Sequence, residues 1–330
     1  MASATTTPHS LRYGWIGLGS MGAAMAKNVH TYLQSQKSSI EPLRFYNRTP
    51  SRGDALEGLG GKRCASVAEL VRHSDVVFIS ASDDAAVESI VNQIIAVGEE
   101  RALNGKMVLD TTTIHPDTTR EMAARLTAHG VHFAATPVFG STPVADQGEL
   151  LVAFAGPEHV YEVVAPLIRN SIAREILRVG PEPEKATLLK TTGNFMMASL
   201  MEIIAEAHVF AEKTGLGADV LERLLELNFG TVAHTDSIRM TTGVYMPAKG
   251  EAPWSNLNLA LKDVGHGVDS AKRAGVSLKV AETALEHLRR AKTYSDENDG
   301  RPLDSSSLYG VVRQDSGLDF KTDYVKKRDR

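Results

Sequence analysis

Residues 14–28 read GWIGLGSMGAAMAKN and place Gly17, Gly19 and Gly22 at the G-x-G-x-x-G spacing. The apolar residues before the first glycine are typical of a buried strand, and those after it recur at helical intervals. In that context the backbone amides and the helix N-terminus face a pyrophosphate, whereas glycines that serve only a tight turn need no such flanks. We therefore predict that this loop binds a dinucleotide. Its predicted cofactor-binding residues are Gly17, Leu18, Gly19, Ser20, Met21 and Gly22.

Short apolar segments alternate with helical segments from residue 12 to residue 180. The segments with the composition of strands are RYGWIGL, LRFYN, DVVFIS, GKMVLD, VHFAAT, LLVAFAG and EILRVG. This alternation predicts an α/β domain with a Rossmann-type, doubly wound parallel sheet and helices on both faces. Turn and capping residues follow the segments that end at Leu18, Asn47, Ser80 and Asp110. The carboxyl ends of these strands should therefore line a crevice.

The strand pattern ends at Pro181 and Pro183, and long helical segments follow. Residues 181–314 are predicted to form a mostly helical second domain. The run from Ala186 to Phe210 is apolar on most sides of a helix, so a lone domain would expose much apolar surface. This predicts a homodimer or tetramer. Residues 1–11 are predicted to be a disordered arm, and the charge-rich residues 315–330 a mobile tail.

Composition and charge narrow the partners and the location. The 330 residues are 42% hydrophobic with a net charge of -4, which favours a small-molecule substrate over nucleic acid or an anionic membrane. No apolar run reaches the roughly 18 residues that span a bilayer. The only cysteine, Cys64, cannot form an internal disulfide, which favours a reducing, cytoplasmic location. The eleven histidines form no ligand-spaced cluster, so we predict no bound metal.

The segment after the second predicted strand selects the cofactor. Residues 45–52 read FYNRTPSR, without the acidic residue that would accept a hydrogen bond from the ribose 2'-hydroxyl of NAD. Asn47 and Thr49 can donate hydrogen bonds, and Arg48 supplies a planar cation that suits phosphate oxygens. The sequence therefore predicts NADP(H), with NAD as the less favoured cofactor. The alternative is that Arg48 is a solvated loop residue.

Five motifs follow one another along the chain, GLGSMGAAMAKN, DTTTIHP, TPVFGSTPVADQGEL, KTTGN and LKDVGHGVDSAKRAG. In this order they resemble the motifs of the β-hydroxyacid dehydrogenase family, which includes 3-hydroxyisobutyrate dehydrogenase and 6-phosphogluconate dehydrogenase. The resemblance extends from about Tyr13 to about Arg313. It implies an all-helical C-terminal domain, at residues 181–314, for substrate binding and dimerisation, with an active site in the cleft between the two domains. The implied reaction is hydride exchange between NAD(P) and a β-hydroxy acid or its carbonyl form.

The resemblance also implies roles for particular residues. By the K-x-x-x-N motif, Lys190 is the expected catalytic acid/base, and Asn194 is its companion in holding the substrate. Thr113 matches the position near the nicotinamide ribose, and Lys262 the position near the cofactor, whereas Asp263 has a functional and a structural interpretation. The residue types suit the chemistry, because a lysine ammonium can stabilise and then protonate the alkoxide that forms when a carbonyl is reduced.

The predicted substrate loop departs from the family pattern. Where the family usually reads D-A-P-V-S-G-G, residues 135–141 read ATPVFGS, so Phe139 replaces the serine and Ser141 the last glycine. The predicted substrate-binding residues are Phe139, Gly140, Ser141 and Asn194. Phe139 either rebuilds the pocket for a larger substrate or packs beneath the loop.

Three hypotheses for the function follow from these residues. The first is an NADP-dependent oxidoreductase that interconverts a small β-hydroxy acid and its semialdehyde. The second is a reductase of imines or bulky carbonyls, and the third is a non-catalytic NADP-binding module. Lys190 favours carbonyl or alcohol chemistry over imines, and Lys190 with Asn194 disfavours a non-catalytic protein.

Overall fold

The structure is a computed structural model that describes residues 11–36, 41–100 and 103–330. The chain divides into two units, Met1–Lys190 and Thr191–Arg330. The strands are β1 (Tyr13–Ile16), β2 (Arg44–Tyr46), β3 (Lys62–Arg63), β4 (Val76–Ile79), β5 (Met107–Asp110), β6 (His132–Ala135), β7 (Val138–Phe139), β8 (Leu150–Ala155) and β9 (Ala173–Gly180). All of these strands lie in the first unit. Six of the seven predicted strand segments contain one of them, and EILRVG overlaps β9, which begins two residues earlier.

Among its described residues the first unit also contains seven α-helices and the start of an eighth. They are α1 (Ser20–Ser35), α2 (Asp54–Gly58), α3 (Val67–Arg72), α4 (Asp84–Glu100), α5 (Pro116–Ala128), α6 (Thr142–Asp146), α7 (Glu158–Ser171) and α8 (Pro183–Thr214). The predicted boundary after residue 180 precedes the division after Lys190. The first turns of α8 belong to the first unit because Ala186 is buried in one of its apolar clusters.

The strands form one sheet in the order β3-β2-β1-β4-β5-β6-β8-β7, and β9 pairs with β8. The strands from β3 to β6 are parallel, as predicted, but β8 runs antiparallel to β6 and β7. From β1 the chain adds β2 and β3 on one side and β4 to β6 on the other. Where the strand order changes direction in this way, the carboxyl ends of the adjacent strands open a crevice. The predicted dinucleotide loop follows β1 directly, so it lies at this crevice.

Both faces of the sheet are buried. Trp15 and Phe78 stack at 5.0 Å between ring centroids on the face that packs against α1 and α7. Ile16 and Ile79 belong to the cluster on the other face, with residues of α3, α4 and α5. Because neither face meets water, the strands read as continuous apolar runs rather than as alternating ones. The predicted α/β fold is confirmed in this respect.

The second unit is helical, as predicted. After α8 its helices are α9 (Ala218–Leu224), α10 (Gly230–Thr241), α11 (Leu257–Arg273), α12 (Lys279–Glu297), α13 (Leu308–Asp315) and α14 (Asp323–Arg328). A π-helical turn at Leu225–Phe229 joins α9 to α10. Within the residues that the structure describes, no helix combines the length and the apolar character needed to cross a membrane.

The last residues differ from the predicted mobile tail. Phe320 and Val325 are buried in the core of the second unit, and Phe320 stacks on Tyr294 at 3.7 Å between ring centroids. Arg301 forms an ion pair with Asp329. The prediction was wrong because the many charges of residues 315–330 outweighed these two apolar side chains in the sequence pattern. The predicted arm, residues 1–11, lies outside the described residues except for Leu11.

Candidate active site

The glycine loop is shaped by the absence of side chains. Gly17 has a φ of +98°, and a Cβ there would lie 2.1 Å from the carbonyl oxygen of Ser80. A Cβ at Gly22 would lie 2.3 Å from the carbonyl oxygen of Gly17, so the loop and α1 could not approach so closely. A Cβ at Gly19, the N-cap of α1, would meet nothing within 4 Å. The open space at the start of a helix fits the pyrophosphate of a dinucleotide.

The other residues of this loop have different surroundings. The side chain of Leu18 is buried, and its backbone N–H donates to Oδ1 of Asn47 at 2.8 Å. Ser20 is exposed, and Met21 is half-buried, with its sulfur 3.7 Å from Oγ1 of Thr142. The buried side chain of Leu18 therefore anchors the loop to the domain, whereas Ser20 is accessible to solvent.

Asn47 ties the loop after β2 to the glycine loop. Its Oδ1 accepts from Leu18, and its Nδ2 donates to the carbonyl oxygen of Thr49 at 2.8 Å. The sequence predicts that this amide donates to the cofactor; in the structure it joins two loop backbones, and its NH2 group has a second hydrogen to donate. Arg48 and Thr49 are exposed beside it. Within the described part of the chain, the structure shows no hydrogen bond or ion pair for the Arg48 guanidinium.

A second exposed arginine follows Arg48 along the chain. Arg52, in the short 3-10 helix at Pro50–Gly53, is also exposed. The next acidic residues along the chain, Asp54 and Glu57, both form ion pairs with Arg63, at 2.7 and 2.8 Å. The sequence prediction did not include Arg52, although Arg52 follows Arg48 in the same segment, FYNRTPSR, and has the same type of side chain. The arrangement can hold an anionic group such as a 2'-phosphate.

The segment after β5 positions Thr113. Thr111 and Thr112 are buried, where Oγ1 of Thr111 donates to the carbonyl oxygen of Ile79 and Oγ1 of Thr112 accepts from the N–H of Ala81. These two side chains fasten β5 to the end of β4. Thr113, the next residue, is half-buried at the carboxyl end of the sheet.

The predicted substrate loop, residues 135–141, runs from the end of β6 through β7 to the N-cap of α6. Gly140 is exposed with a φ of +136°, and Ser141 is the half-buried N-cap of α6. A Cβ at Gly140 would lie 2.5 Å from Cδ2 of Leu150, so this position also requires glycine. Phe139 is half-buried, and the centroid of its ring lies 4.7 Å from Nζ of Lys190. The structure thus brings the predicted acid/base next to the predicted substrate loop.

The start of α8 fixes Lys190 within the first unit. Thr187, one turn earlier on α8, shares a hydrogen bond of 2.8 Å with Thr119 of α5, and both side chains are buried. Arg120 of α5 forms an ion pair with Glu184 at 3.1 Å. These contacts anchor the helix that carries Lys190, which is itself half-buried.

In the second unit one carboxylate joins two other predicted residues. Asp263 accepts from Nδ2 of Asn194 at 2.9 Å through one oxygen and pairs with Nζ of Lys262 at 2.7 Å through the other. Asn194 is on α8 and Asp263 on α11, which meet closely at Gly267. A Cβ at Gly267 would lie 3.0 Å from the carbonyl oxygen of Thr191 and 2.8 Å from the ring of Phe195.

Two other features of the sequence concern the thiol of Cys64 and the possibility of a metal site. Cys64 is buried, and burial raises the pKa of its thiol, which disfavours the nucleophilic thiolate. Across residues 11–36, 41–100 and 103–330, no three side chains of His, Cys, Asp or Glu are grouped to hold a metal ion.

Two family models match the chain. The NAD binding domain of 6-phosphogluconate dehydrogenase matches residues 12–180, and the NAD-binding region of NADP-dependent 3-hydroxyisobutyrate dehydrogenase matches residues 185–312. The chain is 33% identical over 305 residues to NADH-dependent oxidoreductase ucdB of Aspergillus ustus, a match over 92% of this chain and 99% of the relative. It is 28% identical over 283 residues to glyoxylate/succinic semialdehyde reductase 1 of Arabidopsis thaliana, a match over 86% and 93% of the two chains.

The fold is shared with solved structures. The crystal structure of 3-hydroxyisobutyrate dehydrogenase from Salmonella typhimurium superposes with a TM-score of 0.75 and 24% sequence identity. The superposition covers 91% of this chain and 99% of that one. The α/β sheet followed by a helical C-terminal unit is thus an architecture already seen in experiment.

Proposed function

Because the chain belongs to the β-hydroxyacid dehydrogenase family, we propose that it interconverts a small β-hydroxy acid and its semialdehyde with Lys190 as acid/base. The protein is an NAD(P)-dependent oxidoreductase that acts on CH–OH groups. One observation carries the proposal: Nζ of Lys190 lies beside Phe139, in the loop at which the family binds its substrate.

The proposed mechanism assigns the proton to this chain's own residues. When bound, the nicotinamide supplies the hydride for carbonyl reduction and accepts it in the reverse direction. The ammonium of Lys190 stabilises the developing alkoxide and donates a proton to its oxygen. In the oxidising direction the neutral amine of Lys190 removes the hydroxyl proton. Asn194, held by Asp263, would hydrogen-bond to the substrate.

The proposed cofactor is NADP(H). Arg48 and Arg52 are exposed on the segment after β2, and the acidic residues that follow are paired with Arg63. Guanidinium groups suit the 2'-phosphate, which only NADP carries. The Aspergillus relative is named for NADH, so cofactor preference is tested separately from the chemistry. The proposed cofactor contacts are the glycine loop at 17–22, the loop at 47–49, Thr113 and Lys262.

A second candidate function is the reduction of a bulky carbonyl or an imine. The observation that favours it is Phe139, which places an apolar ring where the family loop usually has a serine hydroxyl. A ring offers no hydrogen bond to a carboxylate and favours an apolar substituent on the substrate. The third hypothesis, a non-catalytic NADP-binding module, has no comparable observation in its favour.

We also propose that the protein is a homodimer or tetramer. The second unit carries large exposed apolar side chains at Met196, Ile203, Phe210, Leu227, Phe229 and Val232. An apolar groove of about 650 Å³ lies between α8, α10 and α12. Apolar patches of this kind are uncommon on monomers and mark interaction surfaces.

The experiment that tests the function compares the wild type with Lys190→Ala. Oxidation of NADPH is followed with glyoxylate, succinic semialdehyde, 2-keto acids, cyclohexanone and a cyclic imine as candidate substrates. Lys190→Ala should lower turnover by about two or more orders of magnitude, the usual scale of general acid-base catalysis. NADPH binding, measured by nicotinamide fluorescence, should remain.

The matched control is Lys185→Ala, an exposed lysine on the same helix that pairs only with nearby Glu182 among the ion pairs of the described chain. It should turn over like the wild type. Unchanged turnover in Lys190→Ala would overturn the assignment of Lys190. Activity only on cyclohexanone or the imine would favour the second candidate, and NADPH binding without any turnover would favour the third.

A further inference from the structure

The ring of Phe139 and the ammonium of Lys190 are brought together by two separate elements. Strand β7 pairs antiparallel with β8, with Val138 opposite Val152 and Phe139 opposite Leu151. Successive residues of a strand point to opposite faces, so Val138 joins one apolar cluster of the first unit and Phe139 packs against the other. Phe139 is therefore fixed by the sheet and is not a loose residue of the loop.

The cluster beneath Phe139 also fixes the helix that carries Lys190. Ala186 of α8 is fully buried in this cluster, and Leu189 packs against it. Lys190 follows directly, and its Nζ lies 4.7 Å from the centroid of the Phe139 ring. This distance is within the range of about 6 Å at which a cation is attracted to an aromatic face.

An aromatic face attracts the ammonium form of a lysine and not the neutral amine, because the attraction is electrostatic. The ammonium is the form that can donate a proton to an alkoxide. A lysine side chain also has four rotatable methylene groups, so a fixed contact for its charged end limits where the proton can be delivered. A serine in place of Phe139 would offer a hydroxyl group but no such face.

We propose that Phe139 is a positioning residue for the proposed reaction: its ring face holds the Lys190 ammonium where it donates a proton to the carbonyl oxygen during reduction. This inference rests on the proposed function of Lys190. In the step, an N–H bond of Lys190 breaks as an O–H bond forms on the alkoxide. The carbon is reduced by hydride from NADPH, which is oxidised to NADP+, and water returns a proton to the amine.

The test replaces the ring and then restores it. Phe139→Leu keeps an apolar side chain without an aromatic face, and Phe139→Trp keeps a face. Reduction is measured with whichever carbonyl of the panel the wild type turns over fastest. Phe139→Leu should lower kcat by roughly two- to thirtyfold, the range that cation–π attraction provides, with KM little changed. Phe139→Trp should recover most of that loss. Phe139→Met is a second ring-free variant in case the leucine variant does not fold.

A double-mutant cycle separates this proposal from the assignment of Lys190. If Phe139 acts through Lys190, Phe139→Leu should cause no further loss of kcat in the Lys190→Ala background. A Lys190→Ala variant with wild-type kcat would overturn the proposed function itself. If Lys190→Ala is impaired but Phe139→Leu lowers kcat by the same factor in both backgrounds, or changes only KM, Phe139 does not position the lysine.

Discussion

At the scale of single residues, Arg48 shows why cofactor choice needs more than one position. Its guanidinium is exposed beside Asn47, whose amide is already committed to Leu18 and Thr49. The guanidinium is therefore the charged group beside Asn47 that is available for a 2'-phosphate. Arg63 pairs with both Asp54 and Glu57, which offsets part of the repulsion between these carboxylates and the phosphate.

Arg48→Ala should weaken NADPH selectively. Loss of a charge-assisted hydrogen bond costs about 1.5 to 3 kcal/mol, which corresponds to roughly a ten- to hundredfold rise in the KM for NADPH. The KM for NADH should change little, because NADH has no 2'-phosphate. Steady-state kinetics with both cofactors check this, with Arg174→Ala, an exposed arginine on β9, as the control. An equal change for both cofactors, or a wild type that prefers NADH, would contradict the NADP proposal.

The sequence predicts which residues lie at the candidate site better than it predicts the contacts that each residue makes. The glycine spacing identifies the loop, in which Gly17 and Gly22 lie where a Cβ would collide with backbone and Gly19 leaves the start of α1 open. The hydrogen bond between Asn47 and Leu18 could not be predicted, because it depends on how two strands lie side by side. The contact between Phe139 and Lys190 joins residues far apart in the chain, which no local pattern contains.

At the scale of elements, the approach of α11 to α8 places Asp263 beside Asn194. Gly267 allows this approach, since a Cβ there would press on the backbone of Thr191 and the ring of Phe195. Gly265, two residues earlier on α11, has nothing within 4 Å of its Cβ position. Both glycines lie inside α11 but face different surroundings, so the stabilities of their alanine variants can be compared directly.

Gly267→Ala should destabilise the protein. Crowding at a packed contact costs about 1 to 3 kcal/mol, more than the roughly 0.5 to 1 kcal/mol that alanine gains over glycine inside a helix. Gly265→Ala should make only that gain and be slightly stabilised. Urea unfolding gives both free energies. Equal stability of the two variants would mean that the contact at Gly267 relaxes without cost.

Elements of ordinary length could be predicted from the sequence, whereas the shortest could not. The seven predicted strand segments are apolar because both faces of the sheet are covered. Strands β3 and β7 have two residues each, and a pattern needs more residues than that to show a period. Their pairing is decided by neighbouring strands. The packed position of α14 was missed because only Phe320 and Val325 mark it.

At the scale of the whole molecule, the exposed apolar residues of the second unit predict self-association. Sedimentation at micromolar concentration should give a dimer or tetramer. Phe210→Glu, which places a charge on one exposed apolar position of α8, should shift the distribution toward smaller species. Lys213→Glu, one turn later on the same helix, is the control for the change of charge. A wild-type monomer would contradict the proposal.

Stability should also depend on pH through a buried carboxyl group. Asp236 and Asp304 both pair with Arg239, and burial raises the pKa of Asp236 to about 6 from 3.8. Between these values the folded chain holds a proton that the unfolded chain has released. The contribution of Asp236 to the free energy of unfolding therefore falls as the pH rises from about 4 to about 6.

Relative to Asp236→Asn, the wild type should lose on the order of 1 to 3 kcal/mol of stability over this range, at about 1.4 kcal/mol for each unit of pKa difference. Urea titrations at several pH values measure the difference. Asp219→Asn, which removes an exposed carboxyl group in the same unit, is the control. A constant difference between wild type and Asp236→Asn would show that Asp236 is already ionised at pH 4.

The docking of α14 bears on how this chain can be shortened. The matched family region ends at residue 312, yet Phe320 lies against Gly310 so closely that a Cβ on the glycine would be 2.5 Å from the ring. The hydroxyl of Tyr245 donates to the carbonyl oxygen of Phe320 and accepts from the N–H of Thr322. A protein truncated after residue 312 would therefore expose part of its apolar core, and the buried hydroxyl of Tyr245 would lose both hydrogen-bond partners. Such a truncation would aggregate or be degraded, even though every residue proposed for catalysis would still be present.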